Sequence, residues 1–167
     1  MLHHGDRRRD VRFVQDCGAG SVVVLAVLRT DLQGAAMRFG YAIVYVSDVV
    51  HAVDFYERAF GLARAFVHES GDFAQLDTGG TALAFTSHRL GAEAVPVPYA
   101  ALDPALPPVG IEFTFITDDV AGGFARAVAA GATALAEPHD TAWGQVVSYV
   151  RDPYGVLVGI ASPVTGS

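Results

Sequence analysis

The sequence predicts an α+β fold of two βαβββ modules, forming a strongly curved eight-stranded mixed sheet with helices on its convex side and a concave ligand groove. Three observations carry this. An apolar strand running into a capped helix occurs twice, as Tyr41 to Asp48 and as Ile111 to Asp118. A turn opened by Asp and closed by Gly recurs late in each half, as Asp77 to Gly80 and as Asp152 to Gly155. Between the halves, residues 91–110 hold five of the eight prolines and read as a linker.

The elements follow in order. Residues 1–36 combine Arg7-Arg8-Arg9 with a short apolar run, Val22 to Leu28, and so look superficially like a signal peptide. Asp6, Asp10 and Asp16 interrupt the basic part, and Arg29 and Asp31 end the apolar run well short of a bilayer span. This segment is expected to be a poorly ordered extension ahead of a functional start at Met37. Module one then occupies residues 37–90. Its first strand, Tyr41 to Val46, leads to Ser47, a residue able to cap the free amides of the next turn, with Asp48 placing negative charge at the helix N-terminus. The helix Val49 to Phe60 sets His51, Asp54, Glu57 and Arg58 on one side and Ala52, Val53, Tyr56 and Ala59 on the other, and ends at Gly61. Three short strand segments close the module.

Module two, residues 111–163, repeats the pattern with Thr117 as cap, Asp118 and Asp119 at the dipole, a helix Val120 to Ala130 and a stop at Gly131. It has a longer loop than module one, around Glu137 to Gly144, which carries the single Trp, Trp143. Residues 164–167 are a tail. Neither half alone can bury both faces of its sheet, so the halves are expected to pack as one domain.

At 167 residues and 51% hydrophobic composition, the chain suits one well-cored domain. Its formal charge of −7 repels phosphate backbones, which argues against a nucleic-acid partner. No stretch is long and apolar enough for a membrane partner. All basic residues are Arg and none is Lys, a bias expected of a GC-rich bacterial genome. The lone Cys17 cannot close an intramolecular disulfide, in keeping with a cytoplasmic protein. Nucleophile-elbow, phosphate-loop and dinucleotide-binding motifs are all missing. Asp77 and Asp152 read as turn residues bonding local amides rather than as a catalytic carboxylate pair.

The doubled order, the run Phe55-Tyr56-Glu57-Arg58-Ala59-Phe60-Gly61, and Trp143-Gly144-Gln145 followed by Tyr149 to Gly155 resemble the glyoxalase, bleomycin-resistance and extradiol-dioxygenase (vicinal oxygen chelate) superfamily over about Arg38 to Pro163. The resemblance implies a metal site of His, Gln and Glu from the first and last strands of each module. Carried onto this chain, those positions are Tyr41, Ala84, Ile111 and Gly159. Three of the four offer no donor atom, and strand alternation is expected to turn Glu112 toward the helix layer. No metal and no cofactor are therefore expected, and the chain resembles the metal-less, bleomycin-resistance-like branch.

If those positions face the groove, alternation adds Ile43, Tyr45, Phe113 and Phe115, with small residues such as Ala82 and Ala161 opposite. The rings either wall an open cavity for a bulky ligand or simply fill the interior. Trp143 resembles the Trp that walls the drug site in the bleomycin-resistance branch, with Gln145 and Tyr149 as hydrogen-bonding neighbours; a core Trp is the alternative. His68 and His139 are either proton acceptors or structural. The ligand-binding set expected is thus Tyr41, Tyr45, Phe113, Phe115, Trp143, Gln145, Tyr149, His68 and His139, with no catalytic residue named. The function implied is sequestration of a bulky aromatic or cationic small molecule, as in antibiotic resistance, by a homodimer that covers its open sheet edges. The alternative is an enzyme of the same superfamily, a lyase, isomerase or dioxygenase, with non-standard metal ligands or no metal.

Overall fold

The computed structural model describes residues 37–164, so the expectations for residues 1–36, Cys17 among them, and for the end of the tail lie outside the described residues. Module one contains β1 (Tyr41–Val46), α1 (Val49–Phe60), β2 (Ala63–Val67), β3 (Phe73–Asp77) and β4 (Ala82–Ser87). A short helix, α2 (His88–Ala94), follows. Module two contains β5 (Glu112–Ile116), α3 (Val120–Ala130), β6 (Thr133–Asp140), β7 (Val146–Arg151) and β8 (Leu157–Ala161). The α+β class and the doubled βαβββ order are those predicted. The eight strands hydrogen-bond as two four-stranded mixed sheets, ordered β1-β4-β3-β2 and β5-β8-β7-β6. In each, the first and last strands of the module run parallel side by side, because the helix returns the chain to the same end of the sheet.

Each helix is bounded by local chemistry. Gly61 and Gly131 take positive φ, 69° and 115°, and end α1 and α3. At the N-termini the caps are Asp48 and Asp119, whose carboxylates accept from His51 N (2.9 Å) and Gly122 N (2.8 Å). They replace the expected Ser47 and Thr117; the Thr117 hydroxyl instead accepts from Asp119 N at 3.2 Å. The β5–α3 connection is therefore one residue longer than β1–α1, and every residue of β5 is turned over relative to the expected alignment. In register, Ile43 pairs with Ala84 and Thr114 with Gly159. Tyr41 thus corresponds to Glu112, not to Ile111.

One apolar core joins the modules, with Val44, Phe55, Tyr56 and Phe85 from the first and Val150, Val158 and Ile160 from the second. Burying a side chain such as Phe55 or Phe85 contributes roughly 2–3 kcal/mol. Phe115 belongs here rather than in a groove: its ring stacks on Phe60 of α1 with centroids 4.6 Å apart. Its expected placement fails because the extra residue between β5 and α3 reverses which residues of β5 face the core. At the junction the Tyr56 hydroxyl donates to Asp152 Oδ2 at 3.0 Å. The same carboxylate accepts from the amides of Tyr154 (2.9 Å) and Val156 (2.7 Å). Burial pushes the Asp152 carboxyl above its usual range, and burial beside Asp152 holds the Tyr56 phenol well above its own.

Candidate functional site

Sequence reasoning gave residues 91–110 no role beyond connection, yet α2 and the segment after it build a pocket wall. Ser87 caps α2, accepting from Leu90 N at 3.1 Å, and its hydroxyl donates to Asp72 Oδ1 at 2.7 Å. Arg89 also pairs with Asp72, so the Ser87 hydroxyl and then Arg89 hold that half-buried carboxyl below its usual range. These bonds fix α2 against the β2–β3 turn. Gly91 then brings the bare helix backbone against the Tyr45 ring on β1, and Tyr99 from the linker lies beside Tyr45 with centroids 4.6 Å apart. Nδ1 of His88 hydrogen-bonds the Tyr99 hydroxyl at 3.1 Å. Further along, Arg151 donates to the carbonyls of Asp103 (2.9 Å) and Gly155 (3.3 Å), tying the linker to the β7–β8 turn.

Between β1, this linker and the start of β5 lies a cavity of about 310 Å³, walled by Ile43, Tyr45, Tyr99, Leu102, Ile111 and Phe113, with Val44, Ala100, Val109 and Val156 completing it. Among the described residues, no carboxylate, imidazole or guanidinium lines it. Of the sequence-predicted ligand residues, Tyr45 and Phe113 meet here. Tyr99, Leu102 and Val109 were missed; the signal available was one aromatic and a few aliphatic residues set among prolines in a segment otherwise read as connection.

The other candidates stand elsewhere. Tyr41 begins β1, on the strand face of Tyr45 but outside the cavity lining. Trp143 is 66% exposed in the β6–β7 turn, its indole N–H donating to Gln145 Oε1 at 2.9 Å, while Gln145 Nε2 donates to the Ser162 carbonyl at 2.7 Å. Tyr149, on β7, pairs with Gly159 across the sheet. His68 sits at the β2–β3 turn, bonded to the Ser70 hydroxyl at 2.8 Å, and His139 on the edge strand β6 donates to the Glu137 carbonyl at 2.8 Å. Both imidazoles are engaged locally, His139 exposed and His68 half-buried.

The corrected register allows the implied metal site to be tested against the residues present. A Cβ on Gly159 would collide with Glu112 Oε1 and meet Thr114 Oγ1 at 3.0 Å. Glu112 and Thr114 therefore share the strand face of Gly159, away from the core residues Val158 and Ile160, and Thr114 donates to Glu112 Oε1 at 2.6 Å. The expectation that Glu112 turns to the helix layer is overturned, for the same one-residue reason. The four positions then offer a phenol (Tyr41), one carboxylate (Glu112), a methyl (Ala84) and a hydrogen (Gly159). Among the described residues no three His, Cys, Asp or Glu side chains group to hold a metal ion. A divalent cation needs several O or N donors at about 2 Å, and this set does not fit one. No helix among the described residues is long and apolar enough to cross a membrane.

The family model of the glyoxalase/bleomycin resistance protein/dioxygenase superfamily matches residues 38–160. Among solved structures, a glyoxalase-related enzyme from Fulvimarina pelagi is 24% identical with a TM-score of 0.65, covering 78% of this chain and 88% of that one. TioX from Micromonospora sp. ML1 is 23% identical with a TM-score of 0.57, covering 75% and 98%. A glyoxalase/bleomycin resistance protein/dioxygenase from Nocardioides is 20% identical with a TM-score of 0.62, covering 81% and 89%. At these identities the likeness is one of fold. No curated protein matches the chain significantly.

Proposed function

We propose a function from one premise, that the chain belongs to the glyoxalase/bleomycin resistance protein/dioxygenase superfamily: it is a small-molecule binding protein that sequesters a bulky aromatic or cationic compound without using a metal. The observation that carries this reading is the cavity of about 310 Å³, walled by Tyr45, Tyr99 and Phe113 and lined otherwise by aliphatic side chains. Such a space removes apolar surface from water, and ring stacking adds roughly 0.5–1.5 kcal/mol per pair. Among the described residues, no carboxylate or imidazole lines it to move a proton. A bacterial, cytoplasmic homodimer protecting its cell from a toxic compound is the setting that suits this activity. Thermal stabilisation of the purified protein against glycopeptides, enediynes and polycyclic compounds tests it. Marked stabilisation by one class is expected, and a flat response across the panel would count heavily against sequestration. Light scattering is expected to give a dimer at micromolar concentration.

A second reading, an enzyme of the same superfamily, draws on Glu112, a carboxylate oriented by Thr114 on the strand face of Gly159, one of the positions to which the resemblance assigns metal ligands. Metal analysis discriminates. Near-stoichiometric Zn, Ni, Mn or Fe surviving dialysis would put the enzyme first.

A further inference from the structure

We propose that the cavity under the linker selects an uncharged, planar aromatic ligand, and that Gly91 of α2 sets its depth. This rests on the small-molecule reading above and narrows it from a bulky aromatic or cationic compound to a neutral aromatic one of a few rings. The lining offers three rings, Tyr45, Tyr99 and Phe113, among aliphatic side chains and no anion. A cation entering it sheds water with no counter-charge to meet, and the attraction of phenol faces does not replace a full hydration shell. Glu112 does not supply that counter-charge, because it follows strand alternation to the face opposite Phe113. A neutral ring system loses little on entry and lies against the Tyr45–Tyr99 pair, whose planes are 31° apart. The volume is at the small end for ligand sites, which limits the guest to a few rings.

Gly91 carries the sizing argument. A glycine inside a helix weakens it, yet here a Cβ would stand 2.6 and 2.7 Å from Tyr45 Cδ1 and Cε1, and 2.7 Å from the Tyr99 hydroxyl oxygen. Both tyrosines therefore rest on bare backbone, and His88 holds Tyr99 in place. A methyl at position 91 must drive ring atoms off the helix and into the space they wall.

The test titrates the full chain by fluorescence with two planar probes, neutral N-phenyl-1-naphthylamine and cationic proflavine. The neutral probe is expected to bind about tenfold more tightly or better. Proflavine binding equally well overturns the selection for neutral guests. Gly91→Ala is expected to weaken the neutral probe by about tenfold while keeping a cooperative melt, and an unchanged affinity overturns the role of Gly91. Where Gly91→Ala does not fold, Tyr99→Leu on the exposed linker takes its place, with an expected loss of about fivefold; unchanged binding there overturns the aromatic wall. A wild-type protein that binds panel compounds but neither probe overturns this inference alone. One that binds nothing in the panel either removes the sequestration reading as well.

Discussion

Asp77 and Asp152 open the same turn in the two modules, yet their carboxylates sit in different media. Asp77 is exposed and accepts one amide, that of Gly79 at 2.9 Å. Asp152 is 2% exposed, accepts two amides, and takes the hydroxyl of Tyr56 from the other module. The turn chemistry is written locally and is therefore shared. Burial is imposed from outside: α1 lies over the β7–β8 turn, and Tyr154 in that turn also donates to the Asp48 carbonyl at 2.8 Å. The duplicated unit has thus become asymmetric, with module one supplying the helix contacts and module two the turn that receives them.

The largest expected effect tests that asymmetry. Asp152→Ala leaves two amides and a buried phenol without their acceptor and should cost about 3 kcal/mol in urea unfolding, whereas Asp77→Ala should stay within about 1 kcal/mol. Equal costs at the two turns would break the comparison. The pH dependence sharpens it. Burial raises the Asp152 carboxyl, although its amide and Tyr56 hydrogen bonds pull the other way. The folded protein therefore binds this proton more tightly than the unfolded chain does. The stability this residue contributes is fully present below the unfolded value and is lost as pH rises through the folded one. Asp152→Asn does not titrate, so it should gain on the wild type as pH climbs from about 4 toward neutrality. A gap between the two melting curves that moves the opposite way would reverse the assignment.

Much of this fold is legible in the sequence because its boundaries rest on local chemistry: glycines at 61 and 131, aspartates at the turns, and amphipathic helices between them. The facing of β5 is not, because it depends on a count. Asp118-Asp119 stands where module one has Asp48 alone, and aligning the modules on their strands rather than on Val49 and Val120 hides the inserted residue. A period of two turns that slip into a complete reversal, sending Phe115 to the core and Glu112 to the open face. The pocket was half visible. Tyr45 and Phe113 follow from position, but α2 is seven residues long with a glycine inside it, and Tyr99 acquires meaning only once α2 has brought Gly91 against its hydroxyl and the Tyr45 ring.

Smaller effects are expected where the modules differ by one methyl. Ala84 and Gly159 occupy equivalent places, opposite Ile43 and Thr114. Ala84 is fully buried, so Ala84→Gly loses a packed methyl and adds backbone freedom, at roughly 1–2 kcal/mol. In Gly159→Ala the new methyl meets the far end of Glu112, a flexible side chain that can swing outward, and the cost should stay below about 1 kcal/mol. A loss of several kcal/mol from Gly159→Ala would mean that Glu112 is held by something firmer than Thr114.

The smallest expected change, Glu112→Gln, separates the two faces of β5. The carboxylate is exposed, and an amide oxygen can still accept from Thr114, so the melting curve should shift by no more than about 0.5 kcal/mol. Binding of a neutral ring compound should not change either, since Phe113 reaches the cavity from the opposite side of the strand. The tyrosine at the equivalent place in module one, Tyr41, has no such charge to lose. If Glu112→Gln instead abolishes a retained metal or a measurable turnover, the open face of module two is where chemistry happens, and the cavity under the linker becomes a packing feature beside it.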